Sequence, residues 1–150
     1  MDDLEIRAAT ADDLPAIVAM LADDPLGVQR ESPGDLTPYR NALDRLAADP
    51  HQHVVVAVRE GRVIGTLQLT IIPGLSHKGA TRALIEAVRI HADERGSGLG
   101  SRLIEWAIDT SRQLGCHMVQ LTSDKTRTDA HRFYERLGFT ASHEGFKLRL

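Results

Sequence analysis

The stretch Val88-Arg89-Ile90-His91-Ala92-Asp93-Glu94-Arg95-Gly96-Ser97-Gly98-Leu99-Gly100-Ser101 joins an apolar strand to a helix through three glycines on alternate positions. Glycine lets a backbone approach a ligand closely and turn successive N–H groups toward it. The helix that follows adds its positive dipole end and the unpaired amides of its first turn. Residues 95–101 therefore read as a cradle for a pyrophosphate, with Arg95 adding a point charge. Other glycine loops fit less well. A G-x-G-x-x-G motif begun at Gly96 meets Ser101 where its third glycine belongs, and one begun at Gly98 meets Leu103. Asp124 does lie near the offset of a ribose-binding acid. No Gly-Lys-Ser/Thr follows the glycines, which excludes a P-loop.

Working outward, residues 81–91 form a largely apolar strand ahead of the loop. Before it, residues 53–59 and 63–72 are β-branched runs about the turn Glu60-Gly61, an antiparallel hairpin. A short first strand at residues 4–8 leads to Thr10, which is placed to cap a helix carrying Leu14, Ile17, Val18 and Leu21 at helical spacing. Residues 23–38 hold four of their punctuating residues as Pro25, Gly27, Pro33 and Gly34 and read as loop; a second helix spans 39–48 and stops before Pro50. Beyond the glycines a helix places Leu99, Leu103, Trp106, Ala107 and Leu114 on one face and closes at Gly115. A strand at 117–122, a short helix at 129–137, and closing strands at 139–140 and 146–150 complete the chain. This order predicts an α/β fold of the α+β kind: one domain over 1–150, a mixed and mostly antiparallel sheet, and helices on both faces.

Composition bounds the function. The 150 residues carry 18 Lys plus Arg against 21 Asp plus Glu, a net charge of -3, which argues against nucleic acid as the partner. No run approaches the ~20 apolar residues of a membrane span. The acidic start Met1-Asp2-Asp3-Leu4-Glu5 has no apolar signal core. Cys116 is the one cysteine and reads as a packed, inert thiol, so a soluble protein of the reducing cytoplasm is expected.

These residues resemble the GCN5-related N-acetyltransferases (GNAT). The family's coenzyme loop has Arg or Gln, two residues, Gly, one residue, then Gly or Ala, where this chain has Arg95, Gly98 and Gly100. Its later motif of Ala, two residues, Phe-Tyr and Gly-Phe matches Ala130-His131-Arg132-Phe133-Tyr134-Glu135-Arg136-Leu137-Gly138-Phe139. The opening Ile6-Arg7-Ala8-Ala9-Thr10-Ala11-Asp12-Asp13-Leu14 is also similar. The resemblance implies a splayed strand pair and acetyl-CoA as co-substrate. Backbone groups of Val88, Arg89 and Ile90 would line the pantetheine, with an N–H near Ile90 as the oxyanion donor. Arg95, Gly96, Ser97, Gly98, Leu99, Gly100 and Ser101 would hold the pyrophosphate, and Phe133 would pack near the coenzyme arm. Arg127 takes the coenzyme-facing position where an Asn often stands, so the Asn contact is not carried over.

Acetyl transfer to an amine needs a held donor, a polarised carbonyl, a deprotonated amine and a protonated leaving thiolate. For the base the choice is Glu86, which strict alternation places on one face with Leu84, Val88 and Ile90, where burial would raise its pKa. The alternatives are a substrate ligand or the partner of an arginine. For the acid the choice is Tyr134, which the resemblance puts beside the coenzyme sulfur, against a role in the core stripe of Ala130, Phe133 and Leu137. Arg30 and His77, in the loops flanking the sheet, are the acceptor-binding candidates. His51 and His53 lack a third ligand at motif spacing, so no metal is expected. The expected partner is a small-molecule primary amine. A protein amine and non-catalytic coenzyme binding are the alternatives, and edge strands near 146–150 would permit a homodimer.

Overall fold

The computed structural model describes residues 3–150. Strands β1 (Glu5–Ala8), β2 (Gln52–Arg59), β3 (Arg62–Ile72), β4 (Thr81–Ile90) and β5 (Cys116–Gln120) form one sheet in that order. The first three pairings are antiparallel and β4–β5 is parallel. β2 and β3 are a tight antiparallel hairpin, β1 reaches β2 only after the helical segment between them, and the parallel pair needs the crossover through helix α5 (Leu99–Gln113). The helices are α1 (Leu14–Ala22), α2 (Gly27–Arg30), α3 (Thr37–Ala47), the single turn α4 (Ser76–Gly79), α5 and α6 (Thr128–Arg136). The mixed sheet with its helices is the expected fold class.

Ladder partners share a face, so register assigns the two sides. Ile17 of α1 packs with Val56 and Val58, and Leu21 and Val63 join that cluster. On the opposite side, a Cβ built on Gly65 would lie 2.9 Å from Leu103 Cδ1 of α5 and 3.4 Å from Ala57 Cβ. A side chain at 65 would force the Leu103 side chain to shift. The face of α1 thus carries Val56, Thr66, Gln68 and Thr70, while the face of α5 carries Ala57, Gly65, Leu67 and Leu69. Of the predicted α5 stripe, Leu99, Leu103 and Ala107 are buried, joined by Ile104, whereas Leu114 is largely exposed.

The start of α1 is fixed by charge as well as by Thr10. Asp13 accepts the Thr10 N–H at 2.8 Å and both terminal nitrogens of Arg7 at 2.8 and 3.0 Å. Arg7 holds the Asp13 carboxyl below its usual range. α3 starts two residues earlier than expected because Pro38 suits the first turn of a helix rather than ending the loop before it.

The chain divides into two compact units, Met1–Gln120 and Leu121–Leu150. In the second, α6 ends where Gly138 takes φ 99°, and no strand follows in residues 139–150. The predicted closing strands at 139–140 and 146–150 are therefore corrected. Alternation of Phe146, Leu148 and Leu150 fits an extended chain, but a strand also needs a backbone partner. Phe146 and Leu148 are 94% and 87% exposed.

Candidate active site

β4 changes character along its length. Its pairing with β5 runs from Thr81 opposite Cys116 to Leu84 opposite Gln120, and β5 ends there. From Ile85 to Ile90 only β3 pairs with it. This is the splayed strand pair that the sequence implied, and it leaves the backbone edge of 85–90 open on the β5 side.

A bulge marks the opening. Thr66 faces Arg89 and Gln68 faces Glu86, so Leu67 stands against the two residues Ala87 and Val88. Ala87 takes φ 54°, the left-handed region that alanine rarely visits. The extra residue corrects the predicted face of Glu86. Glu86 keeps Leu84 as a same-face neighbour, but beyond the bulge it shares that face with Arg89, and Ile90 turns to the side of Gly65 and α5. The carboxylate is exposed, so it is not the lone buried acid on an apolar face that alternation suggested.

Around Glu86, the face of α1 is polar in a way the sequence reading missed. Gln68, its ladder partner, donates to Gln52 Oε1 at 2.9 Å, and the Thr70 hydroxyl donates to the same oxygen at 2.8 Å. The signal was present in β3, where Thr66, Gln68 and Thr70 alternate with Leu67, Leu69 and Ile71.

The loop after α1 reaches the same face. The Arg89 side chain meets Asp24 at 3.3 Å, and Arg95 meets Asp23 at 3.4 Å. Asp24 also accepts the N–H groups of Leu26 and Gly27 at the start of α2. The Gly27 N–H chiefly, with Arg89 and Arg30 adding their charge, lowers the Asp24 pKa. Arg30 closes α2 one turn beyond this anchor. His77 lies elsewhere. It takes φ 54° in α4, its ring centroid 5.6 Å from that of His117, whose Nδ1 meets the Thr81 carbonyl. That is the start of β4, about 16 Å along the strand from Glu86.

After β4, a 3-10 turn over Ala92–Glu94 leads into the glycine loop. Ser97 donates its hydroxyl and its N–H to the Glu94 carbonyl, at 2.6 and 3.2 Å. Gly96 and Gly98 take φ 82° and 85°, and a Cβ on either would enter open space. Glycine is required here by backbone conformation, not by crowding. Gly98 caps α5, whose first-turn amides at Leu99, Gly100 and Ser101 have no partners within the helix. A left-handed cap, a 15-residue helix and an open cradle fit a diphosphate.

In the second unit, Arg127 precedes α6 and its N–H donates to Asp124. Phe133 and Tyr134 follow within α6; the Tyr134 ring lies edge-on to Phe133 and Phe139, with centroids 5.1 and 5.8 Å apart. Cys116 is half-buried, and that burial raises its thiol pKa, the direction of an unreactive thiol. Among the described residues no helix is long and apolar enough to cross a membrane, and no group of three or more His, Cys, Asp or Glu is placed to hold a metal.

The site thus consists of a strand edge without a partner strand, a bulge beside it and a glycine loop at its end. Comparison with known proteins gives the family. Residues 14–139 match the model of the acetyltransferase (GNAT) family, and the chain belongs to that family and is an N-acetyltransferase. It is 31% identical to the aminoalkylphosphonate N-acetyltransferase of Salmonella typhimurium over 95% of this chain and 88% of that one. It is likewise 31% identical to the glucosamine 6-phosphate N-acetyltransferase of Trypanosoma brucei brucei, over 99% and 97%. A crystal structure described as a transcriptional regulator from Bacillus halodurans C-125 superposes with a TM-score of 0.94 at 46% identity, covering 98% of this chain and 99% of that one. Members of this family use acetyl-CoA as co-substrate.

Proposed function

We propose that residues 1–150 act as a single cytoplasmic catalytic domain that transfers the acetyl group of acetyl-CoA to the primary amine of a small soluble molecule, by direct attack on the thioester. The observation that carries this reading is the open edge of β4 leading into the glycine cradle. The two curated relatives, by their names, act on small amines, which favours a small-molecule acceptor over a protein.

The coenzyme supplies an activated acyl group; the chain supplies grip, position and proton transfer. Amides from Gly96 to Ser101, with Arg95, hold the diphosphate. Loading the loop sets Arg95 between that diphosphate and Asp23, its present partner. The backbone of Val88, Arg89 and Ile90 lines the arm, and an N–H near Ile90 faces the carbonyl oxygen as charge develops on it. An alkyl amine with a pKa of about 10.4 is almost wholly protonated at neutral pH. Glu86 takes that proton, directly or through a water. Its exposed side chain is within reach of an incoming ammonium. Tyr134 returns a proton to the departing sulfur from its hydroxyl, with Phe133 and Arg127 beside the arm.

A thiol-release assay across small amines, peptides and aminophosphonates tests the reading. Tyr134→Phe is expected to lower kcat by about 100-fold or more while acetyl-CoA binding holds. Full activity at every pH would remove Tyr134 as the acid. Glu86→Gln is expected to lose rate mainly at lower pH, where the amine most needs a base; an unaltered profile would remove Glu86. Coenzyme binding without turnover is the second reading, and release of thiol with any amine excludes it. A homodimer through the exposed apolar tail at 146–150 belongs to the same proposal and is read from the mass in solution.

A further inference from the structure

The start of β4 is reached through a turn of unusual hand. His77 and Lys78 take φ, ψ of 54°, 41° and 62°, 40°, and Gly79 follows at φ 75°. These residues make one turn of left-handed helix. It is closed by the Gly79 N–H on the Leu75 carbonyl at 2.9 Å and the Ala80 N–H on the Ser76 carbonyl at 3.3 Å. Left-handed residues normally occur one at a time, because a side chain there crowds the following carbonyl. Gly79 escapes that cost, and His77 and Lys78 do not. Strain of this kind persists only where the surroundings impose it, and it gathers at ligand clamps and switch regions.

What the turn presents is an imidazole. The His77 ring lies 5.6 Å, centre to centre, from the ring of His117 on β5, with the two planes 32° apart. Both side chains are exposed. His117 Nδ1 stands 2.7 Å from the Thr81 carbonyl oxygen. A carbonyl oxygen only accepts, so Nδ1 carries the proton and Nε2 of the neutral ring keeps its lone pair. Metal-binding histidines are oriented in this way, with one nitrogen tied to a carbonyl and the other offered to the ion. His77 has a similar arrangement, since its Nδ1 lies 3.3 Å from Ser76 Oγ, a hydroxyl able to accept the Nδ1 proton. The separation fits as well. A zinc–nitrogen bond of about 2.0–2.1 Å, extended by the half-width of the ring, sets the centres of two tetrahedral imidazoles about 5–5.5 Å apart.

We propose that His77 and His117 clasp a divalent transition cation that favours imidazole, zinc above all, with water completing its coordination. The cation clips the loop between β3 and β4 to β5, at the end where β4 and β5 are paired. That pairing runs only from Thr81 to Leu84 and is parallel, the less stable kind of ladder. A link there fastens one end of a strand pair whose other end is open. The site is separate from the proposed chemistry, because Glu86 lies about 16 Å further along the strand. It stands or falls independently of the acetyltransferase reading.

Calorimetric titration of the untagged full chain with zinc chloride tests the site, at a pH above 7 where imidazole is mostly neutral. One zinc is expected to bind per chain, while magnesium, which prefers oxygen ligands, gives no binding heat. His77→Asn keeps a residue at ease in the left-handed region and removes one ligand. His117→Gln removes the other. Each variant is expected to bind zinc at least about tenfold more weakly, the least that disturbing even the hydrogen-bond partner of a metal-bound histidine costs. Saturating zinc should also raise the thermal unfolding midpoint of the wild type by a few degrees and leave both variants nearly unmoved. Circular dichroism shows which variants fold, and either one alone decides the question. No zinc binding by the wild type, or unchanged binding in a folded variant, would overturn the site and leave the two rings in a plain aromatic contact.

Discussion

The two halves of β4 differ more than any two strands of the sheet. Thr81 to Leu84 is paired on both sides, and Ala83 and Ile85 are buried against the neighbouring layers. Glu86 to Ile90 is paired on one side, bent by a bulge, and exposed at Glu86 and Ala87. One half therefore supplies cohesion and the other supplies a binding edge. The transition takes a single residue, because an extra position both exchanges the faces and lifts the strand away from the line that β5 would need to follow. The proposed chemistry falls where the ladder stops, next to buried residues that hold the strand in place.

If that division holds, the largest effect on folding comes from the last buried residue before the bulge. Ile85→Ala removes a side chain that is 2% exposed and is expected to cost about 2–5 kcal/mol, read from urea unfolding. The folded fraction should keep its KM for acetyl-CoA. A variant that unfolded no more easily than the wild type would show that the strand just before the bulge carries no special share of the core.

A smaller effect is expected where the second half meets the loop. Asp24→Asn keeps a capping oxygen for Leu26 and Gly27 and removes the charge that faces Arg89. The pair is partly exposed, so the loss should be about 1 kcal/mol. The folded-state pKa of Asp24 is lowered, chiefly by the Gly27 N–H. Its ionised form therefore favours the folded state above the unfolded pKa of about 3.9, and that contribution disappears as pH falls through the lower folded value. Unfolding midpoints of wild type and variant should differ at pH 6 and converge on acidification below about pH 4. A gap that widened on acidification would contradict the geometry.

The same contrast explains what the sequence disclosed. The first half of β4, the hairpin and α5 follow the periods of strand and helix, so their placement was readable to within a few residues. The glycine loop was readable because positive φ at Gly96 and Gly98 leaves a mark in residue type. The bulge left none: Ala87 is an ordinary strand residue by type, and alternation was carried through it, which misplaced Glu86 relative to Ile90. The tie of Arg89 to Asp24 spans 65 positions and has no local signature. The final strands failed for a related reason, since Phe146, Leu148 and Leu150 show a pattern without revealing whether a partner exists. Period is written in one segment; pairing is written in two.

The smallest expected effect is also the sharpest probe of the bulge. Ala87 at φ 54° carries the left-handed penalty of about 1–2 kcal/mol, which glycine would not. Glycine in turn loses about 0.5–1 kcal/mol more conformational freedom on folding than alanine. The difference favours Ala87→Gly by about 0.5–1 kcal/mol, so this variant, unlike Ile85→Ala, should raise the unfolding midpoint. A regular strand at 87 predicts the opposite sign, because there glycine brings only its entropy cost and relieves no strain. A lowered midpoint would mean that the backbone is not left-handed at Ala87; Glu86 and Ile90 would then share a face as alternation alone suggests.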